Sequence, residues 1–406
     1  MAVCLRDRAQ GRAVHSTYPP EFLERYKHAL TLFVAGRFEQ ARESIDALLE
    51  WRPDEPALVE KRIQIDLLDN RPLAALERLR RSDDPEDPLW PGLWGVAYLR
   101  SGSYRLAAPY FDMLGQHARA AVFERLDDQR PADPQAGAEA PFRQHRPMPV
   151  IAVKVDGEED ALLALDTGAG ETLLDTGLAD RLGLSLGEPT RALFAGGMPA
   201  EVRYAAVDSI AVGDVELGPL PVQVMDIQAT LPGFFGPHGV DGMLGIQALW
   251  QHDVVFDFPD GRLVLLPQGR LGTTPGNSTR CWLAGESHLV ARGSLNDYSL
   301  MWFLDSGMVG FECLLPEATV AAWRLPVSRG THEAWGGGGV VEVHALRAER
   351  LCLGGICRRD VTGVVMPQFP LETAYGFHLG GVIAGDFLGH FRLEIDFRRM
   401  AFRLQP

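Results

Sequence analysis

With 406 residues, 46% of them hydrophobic, the chain has material for two to three domains with buried cores. A net charge of −15 at pH 7 excludes nucleic acid and anionic membranes as main partners, because both select for a basic surface. No apolar stretch approaches the roughly 18 residues of a membrane-spanning helix. The start, Met1 to Arg8, lacks the apolar segment of a secretory signal, so the expectation is a cytoplasmic protein. Five cysteines is an odd number, with none between Cys4 and Cys281, and the eleven histidines have no ligand spacing. Neither a disulfide framework nor a metal or other cofactor is expected.

Only six of the 43 glycines precede residue 131, which marks a composition boundary. Before it the pattern is helical: Ala29 to Ala35, a turn at Gly36-Arg37, then Phe38 to Trp51. Ile63 to Leu68 and Ala74 to Leu79 follow around Asn70-Arg71, then Leu93 to Leu99 and Leu106 to Leu114 around Gly102-Ser103. The turn residues Gly36, Asn70 and Gly102 lie 34 and 32 apart; Ala41, Ala75 and Ala108 lie 34 and 33 apart. Small residues at that period, where paired helices must approach closely, resemble tetratricopeptide repeats. Such a region offers a groove for a peptide or protein partner, or serves as packing that steadies the rest of the chain. Residues 131–147, with Pro131, Pro134 and Pro141, read as a linker.

Residues 148–267 read as β structure. Val150 to Val155 turns at Asp156-Gly157 and returns through Ala161 to Leu165 into Asp166-Thr167-Gly168. A glycine-tipped hairpin comes next, Phe194 to Tyr204 with Gly196 and Gly197, then Gly236-Pro237-His238, Met243-Leu244-Gly245 and Phe256-Asp257-Phe258. Residues 268–285, with Gly272, Pro275 and Gly276, form a connector. Residues 286–406 then repeat the series. Leu300 to Leu304 leads into Asp305-Ser306-Gly307, and Thr331 to His344 carries Trp335, Gly336 and Gly337. Gly376-Phe377-His378, Ile383-Ala384-Gly385 and Ile395-Asp396-Phe397 complete it. The offsets are 139 or 140 throughout, the signature of a duplicated unit. His238 and His378 read as histidines satisfying backbone groups. Cys352 and Cys357 flank Gly354-Gly355, and a two-residue hairpin would oppose them. Because the first unit has Ala211 and Glu216 at the matching places, they read as two half-buried thiols.

Asp-(Thr/Ser)-Gly after an apolar strand, with two apolar residues and glycine 79 or 80 residues later, resembles the retropepsin-like aspartic peptidases. The resemblance spans roughly residues 148–406 and implies two retropepsin-like units in one chain. The expected architecture is a multi-domain α and β chain, with an N-terminal tetratricopeptide-like helical repeat before an all-β bilobal pseudodimer. It implies an aspartic endopeptidase without cofactor that holds a peptide or protein substrate between its lobes. Asp166 and Asp305 would be catalytic. Thr167 and Ser306 would cross-bond the two loops, and Gly168 and Gly307 would allow backbone amides near the carboxylates. Gly245 and Gly385 would pack behind. Gly196, Gly197, Tyr204, Trp335, Gly336 and Gly337 would belong to covering hairpins whose glycines supply hinge mobility. Ala169 and Met308 stand where pepsin-like enzymes carry Ser or Thr. The loss of a hydroxyl bond to each carboxylate implies an optimum in mildly acidic to near-neutral conditions. Two alternatives stand beside this reading: a non-catalytic peptide- or protein-binding module, and a precursor whose amino-terminal region blocks the cleft.

Overall fold

The computed structural model describes residues 5–6, 13–14, 18–130, 133, 135–193, 199–274, 276–336, 339–366, 369, 371 and 373–406. Among the described residues seven helices come first: Pro20–Val34 (α1), Phe38–Trp51 (α2), Pro56–Leu68 (α3), Pro72–Ser82 (α4), Pro91–Arg100 (α5), Tyr104–Met113 (α6) and His117–Phe123 (α7). Four of them begin on proline, which lacks an N–H only where a helix start has no partner for one. The periodic turn residues take one job. Gly36, Asn70 and Gly102 adopt φ of +66°, +52° and +74°, ending α1, α3 and α5 in the left-handed conformation. The next amide then reaches back to close the helix: Arg37 to Leu32, Arg71 to Asp66 and Ser103 to Tyr98, at 2.8–3.0 Å. Helices α1 with α2, α3 with α4 and α5 with α6 are thus three helical hairpins, stacked in chain order. Among the described residues, no helix is long and apolar enough to cross a membrane.

The β region holds two units with one pairing scheme. In the first, strand Glu159–Asp166 runs parallel to Gly242–Gly245, aligning Leu165 with Leu244 and Asp166 with Gly245. In the second, Tyr298–Asp305 runs parallel to Gly381–Ala384, aligning Leu304 with Ile383 and Asp305 with Ala384. Both pairs continue antiparallel, to Thr172–Asp175 and to Cys313–Pro316. A six-stranded antiparallel sheet joins the units, in the order Ala138–Gln144, Arg262–Leu266, Asp253–Asp257, Arg392–Asp396, Ala401–Gln405, Thr279–Ala284. Its central register pairs Asp253 with Asp396 and Asp257 with Arg392. Each unit therefore presents the same strand to the other, as in a two-fold contact.

Three expectations change. Residues 131–147 and 268–285 are not wholly linker and connector, since each supplies an outer strand of the joining sheet, Ala138–Gln144 and Thr279–Ala284. In the first, only Ala140 and Phe142 are buried, so the apolar signal is two residues long. Pro141 sits where the strand passes from one sheet to the other, so its missing N–H breaks no ladder. The offset between the units is also not constant. Thr172 and Cys313 hold equivalent places, aligned with Val222 and Gly363, so the loop after Asp305 is two residues longer than the loop after Asp166. The offset returns to 139 by Gly242 and Gly381. Ala384, not Gly385, is therefore the counterpart of Gly245. A Cβ on Gly245 would lie 2.5 Å from the carbonyl oxygens of Gly170 and Glu171. In the second unit that loop is the lengthened one, and alanine fits. Finally, Cys352 and Cys357 are disulfide-bonded, not free thiols. The two-residue turn at Gly354-Gly355, both at positive φ, aligns them across the hairpin.

The helical region packs on both units: α7 lies against Pro199–Val207 of the first, and α1–α3 share a core with the second. Phe22, Ala29, Phe33, Phe38, Ala41 and Ile45 share a core with Trp282, Val290, Met301, Phe303, Phe377 and Val382 of the second unit. Phe38 meets Trp282 and Phe377 edge-on, with ring centroids 5.2 and 5.0 Å apart. Arg100 at the end of α5 is buried and satisfied by carbonyl oxygens alone, those of Leu67, Leu283, Gly285 and Glu286. Burial lowers its guanidinium to about 9.

Candidate active site

Asp166 and Asp305 end equivalent strands and meet between the units. The two loops grip each other reciprocally. The Thr167 amide donates to Ser306 Oγ at 3.0 Å and the Ser306 amide donates to Thr167 Oγ1 at 2.9 Å. Each hydroxyl then donates across to the strand of the other unit, Thr167 to Leu304 O at 2.9 Å and Ser306 to Leu165 O at 3.2 Å. All four groups are buried, so no water can replace them.

The carboxylates sit inside that frame. Asp166 Oδ1 accepts from the amides of Gly168 and Ala169 at 2.8 and 3.2 Å, and Asp305 Oδ1 from Gly307 and Met308 at the same distances. Glycine after each Thr or Ser is dictated by the opposite acid. A Cβ on Gly168 would collide with the Asp305 carboxyl, and one on Gly307 would lie 2.5 Å from Asp166 Oδ1. The two carboxyls hydrogen-bond each other. Burial raises both above the ordinary carboxylate range. The charge of Asp166 adds to the rise at Asp305, which goes up further, whereas amide donors and the bond from Asp305 pull Asp166 back. The two carboxyls therefore hold one proton between them, and titration belongs to the pair.

The other expected site residues take varied places around the pair. Gly245 aligns with Asp166, its amide 3.3 Å from Thr172 Oγ1. Gly385 lies one residue beyond its expected place and donates its amide to Met308 O at 2.7 Å. Paired strands stand at both expected places, Thr190–Leu193 with Pro199–Val207 and Val327–Gly336 with Gly339–Leu353. Gly196, Gly197 and Gly337 lie outside the described residues. Trp335 pairs with Val340 and Gly336 with Gly339 near the second tip. Tyr204 lies at the base of the first hairpin, opposite Gln223, where burial and the charge of Glu171 raise its hydroxyl. His238 is exposed; His378 is exposed too, and its amide donates to Val34 O at 2.9 Å.

Two features escape the sequence. Met308, in place of Ser or Thr, turns its side chain into the core shared with α1–α3. Arg119 of α7 is buried between Glu171, five residues after Asp166, and Glu286 of the second unit. Nothing in the motif spacing points to a helix residue so distant in the chain.

Residues 151–248 match the family model described as aspartyl protease, a span that includes Asp166, Thr167, Gly168 and Gly245. No curated protein matches the chain. Among solved structures, a retropepsin-like aspartic protease from Rickettsia conorii aligns at 18% identity and a TM-score of 0.23, over 34% of this chain and 95% of that one.

Proposed function

We propose that the chain is an aspartic endopeptidase, built as two retropepsin-like units in one chain behind a tetratricopeptide-like helical region. The observation that carries this reading is the hydrogen-bonded pair Asp166 and Asp305, each on its own Asp-(Thr/Ser)-Gly loop and each loop bonded to the other. Two carboxylates about 3 Å apart cannot both ionise, so they hold one proton between them. The ionised Asp166 takes a proton from a water lying between the two acids. As that water adds to the peptide carbonyl, Asp305 delivers its proton to the carbonyl oxygen. The resulting tetrahedral diol collapses as Asp166 gives its proton to the leaving nitrogen, the C–N bond breaks, and Asp305 takes a proton back from a diol hydroxyl, which restores the pair. No covalent intermediate on the protein is needed. Substrate lies between the units, beneath the hairpins that carry Tyr204 and Trp335.

Incubation of the full chain with a peptide library from pH 3 to 8, with and without pepstatin, tests the reading. Cleavage that pepstatin blocks and that Asp166→Asn and Asp305→Asn each abolish is the expected outcome. Cleavage that survives either substitution at the original rate would end it.

A further inference from the structure

We propose that Arg119 of α7 is a positioning residue for the aspartate pair, the latch through which the helical region sets how the two β units meet at Asp166 and Asp305. The proposal rests on the peptidase reading for its consequence in catalysis, but the latch itself stands on geometry. Arg119 Nε donates to Glu171 Oε1 at 2.8 Å, while its Nη1 and Nη2 donate to Glu286 Oε1 and Oε2 at 3.0 and 2.5 Å. The guanidinium lies over the rings of Phe111 and Phe123, 4.4 and 5.1 Å from their centroids, so the fork is packed in place from behind. One rigid cation thus joins three separate parts of the fold.

Both carboxylates belong to segments that touch the active loops. Glu171 closes the loop that begins at Asp166. The carbonyl oxygens of Gly170 and Glu171 crowd Gly245, the residue aligned with Asp166. Glu286 lies in the turn between strands Thr279–Ala284 and His288–Leu295, and the next residue, Ser287, is buried against Gly170. A Cβ on Gly170 would lie 2.5 Å from Ser287 Oγ. The Thr167–Ser306 grip pins the aspartate loops on one side, and Arg119 pins the outgoing loop on the other. The face of the second unit that carries Asp305 also bears Met301 and Phe303, since alternate residues of a strand share a side. That face is the one packed on α1–α3, with Gly36 of the α1–α2 turn against the Met301 side chain. The corresponding face of the first unit, with Leu162 and Ala164, packs with first-unit residues and Val309. The helices therefore hold the second unit by its core, and the first by Arg119 together with the packing of α7 on Pro199–Val207.

Charge gives the latch a signature. The groups around it are Arg119 and Gln116 near α7, Glu171 and Gln223 and Tyr204 of the first unit, Glu286 and His288 of the second, Arg100 of α5 and Tyr104 of α6. Glu171 is driven up by burial, its side chain only 3% exposed. Burial also opposes the charge on Glu286, but Arg119 outweighs it and the group goes down; its side chain is 30% exposed. Without the guanidinium, two carboxylates would face each other with no cation between them. That penalty is greatest where both are ionised and shrinks as pH falls and one takes a proton.

The experiment compares Arg119→Gln, Arg119→Lys and the double variant Arg119→Gln/Glu286→Gln with the parent full-length chain. Two readouts are taken between pH 5 and pH 7.5: kcat and KM on a cleaved peptide, and amide hydrogen exchange of the segments around residues 163–175 and 300–312. Arg119→Gln is expected to lower kcat at pH 7.5 by about tenfold to a hundredfold with a smaller change in KM. It should speed exchange at both aspartate loops, and both effects should weaken at pH 5. The double variant should recover most of the loss at pH 7.5, and Arg119→Lys should lie between. Faster exchange confined to the helices, or a loss equal at both pH values and untouched by Glu286→Gln, would overturn the latch. If the parent chain cleaves nothing, the peptidase reading fails, and exchange at the two loops still decides whether Arg119 positions them.

Discussion

The proton shared by Asp166 and Asp305 ties activity to a cost in stability. Both groups have folded pKa values above their unfolded ones, so what they contribute is fully present at low pH and is lost as pH rises through the folded values. At neutral pH the fold therefore carries an unfavourable charge in a buried place. Asp305→Asn replaces one of the two raised carboxyls with a group that does not titrate, while keeping the shape. We expect it to lower kcat by about 10²–10⁴-fold and to raise the melting temperature at pH 7. The rise should fade toward pH 3, where the parent carboxyls are protonated; melting curves across that range check it. A variant that melts lower than the parent at pH 7 would contradict the assignment of strain to this pair. Thr167→Val tests the neighbouring bonds. It leaves the Ser306 amide and Leu304 carbonyl without their buried partner, a loss of about 1–3 kcal/mol that urea titration should register.

At the scale of elements, the two units are equivalent in topology but not interchangeable residue by residue. Gly245 has no room for a Cβ beneath the short loop after Asp166, whereas Ala384 holds one beside the longer loop after Asp305. Gly245→Ala should cost about 1–3 kcal/mol through overpacking, with a matching fall in activity because the displaced loop begins at Asp166. Ala384→Gly should cost less, about 0.5–1 kcal/mol, chiefly through backbone freedom. Thermal denaturation of the two variants separates them, and equal losses would mean the loop lengths do not matter. The same comparison explains what was legible in the sequence. The aspartate triplets, Thr167 and Ser306 read directly, because a tight loop facing its own copy demands those residue types. The helix turns at Gly36, Asn70 and Gly102 read for the same reason. Gly385 misread because a two-residue insertion is absorbed before the triplet, so residues near 385 match at 140 as well as at 139. The strand at Ala138–Gln144 hid because it buries only two side chains, whereas Thr279–Ala284, buried from Cys281 to Ala284, hid behind the glycine- and proline-containing run before it. The disulfide was open to either reading, since register opposes two cysteines without saying that they bond. Arg119 had no local signal at all: its partners are 52 and 167 residues away.

For the whole molecule, the position of the helical region decides how the chain unfolds. Phe33 and Phe38 complete a core whose other half is Trp282, Met301, Phe303 and Phe377, so neither part is finished without the other. The alternation along Tyr298–Asp305 makes this unavoidable. Leu300, Trp302 and Leu304 face the interior of the β region, which leaves Met301 and Phe303 on the opposite side, in a core that the helices complete. A chain beginning at residue 136 would expose that face as one apolar patch, and such patches drive self-association. We expect it to elute as oligomers or aggregate in size-exclusion chromatography. Within the full chain, Phe38→Ala should cost about 3–5 kcal/mol, because it removes edge contacts to Trp282 and Phe377 as well as volume. The loss should appear in the second unit as well as in the helices. Calorimetry should therefore show the helical region and the second unit melting together, with Phe38→Ala moving that shared transition. A separate helical transition, with the β region unchanged by the substitution, would mean the shared core does not couple them, and the helices would then be a module attached to the β region and not a wall of it.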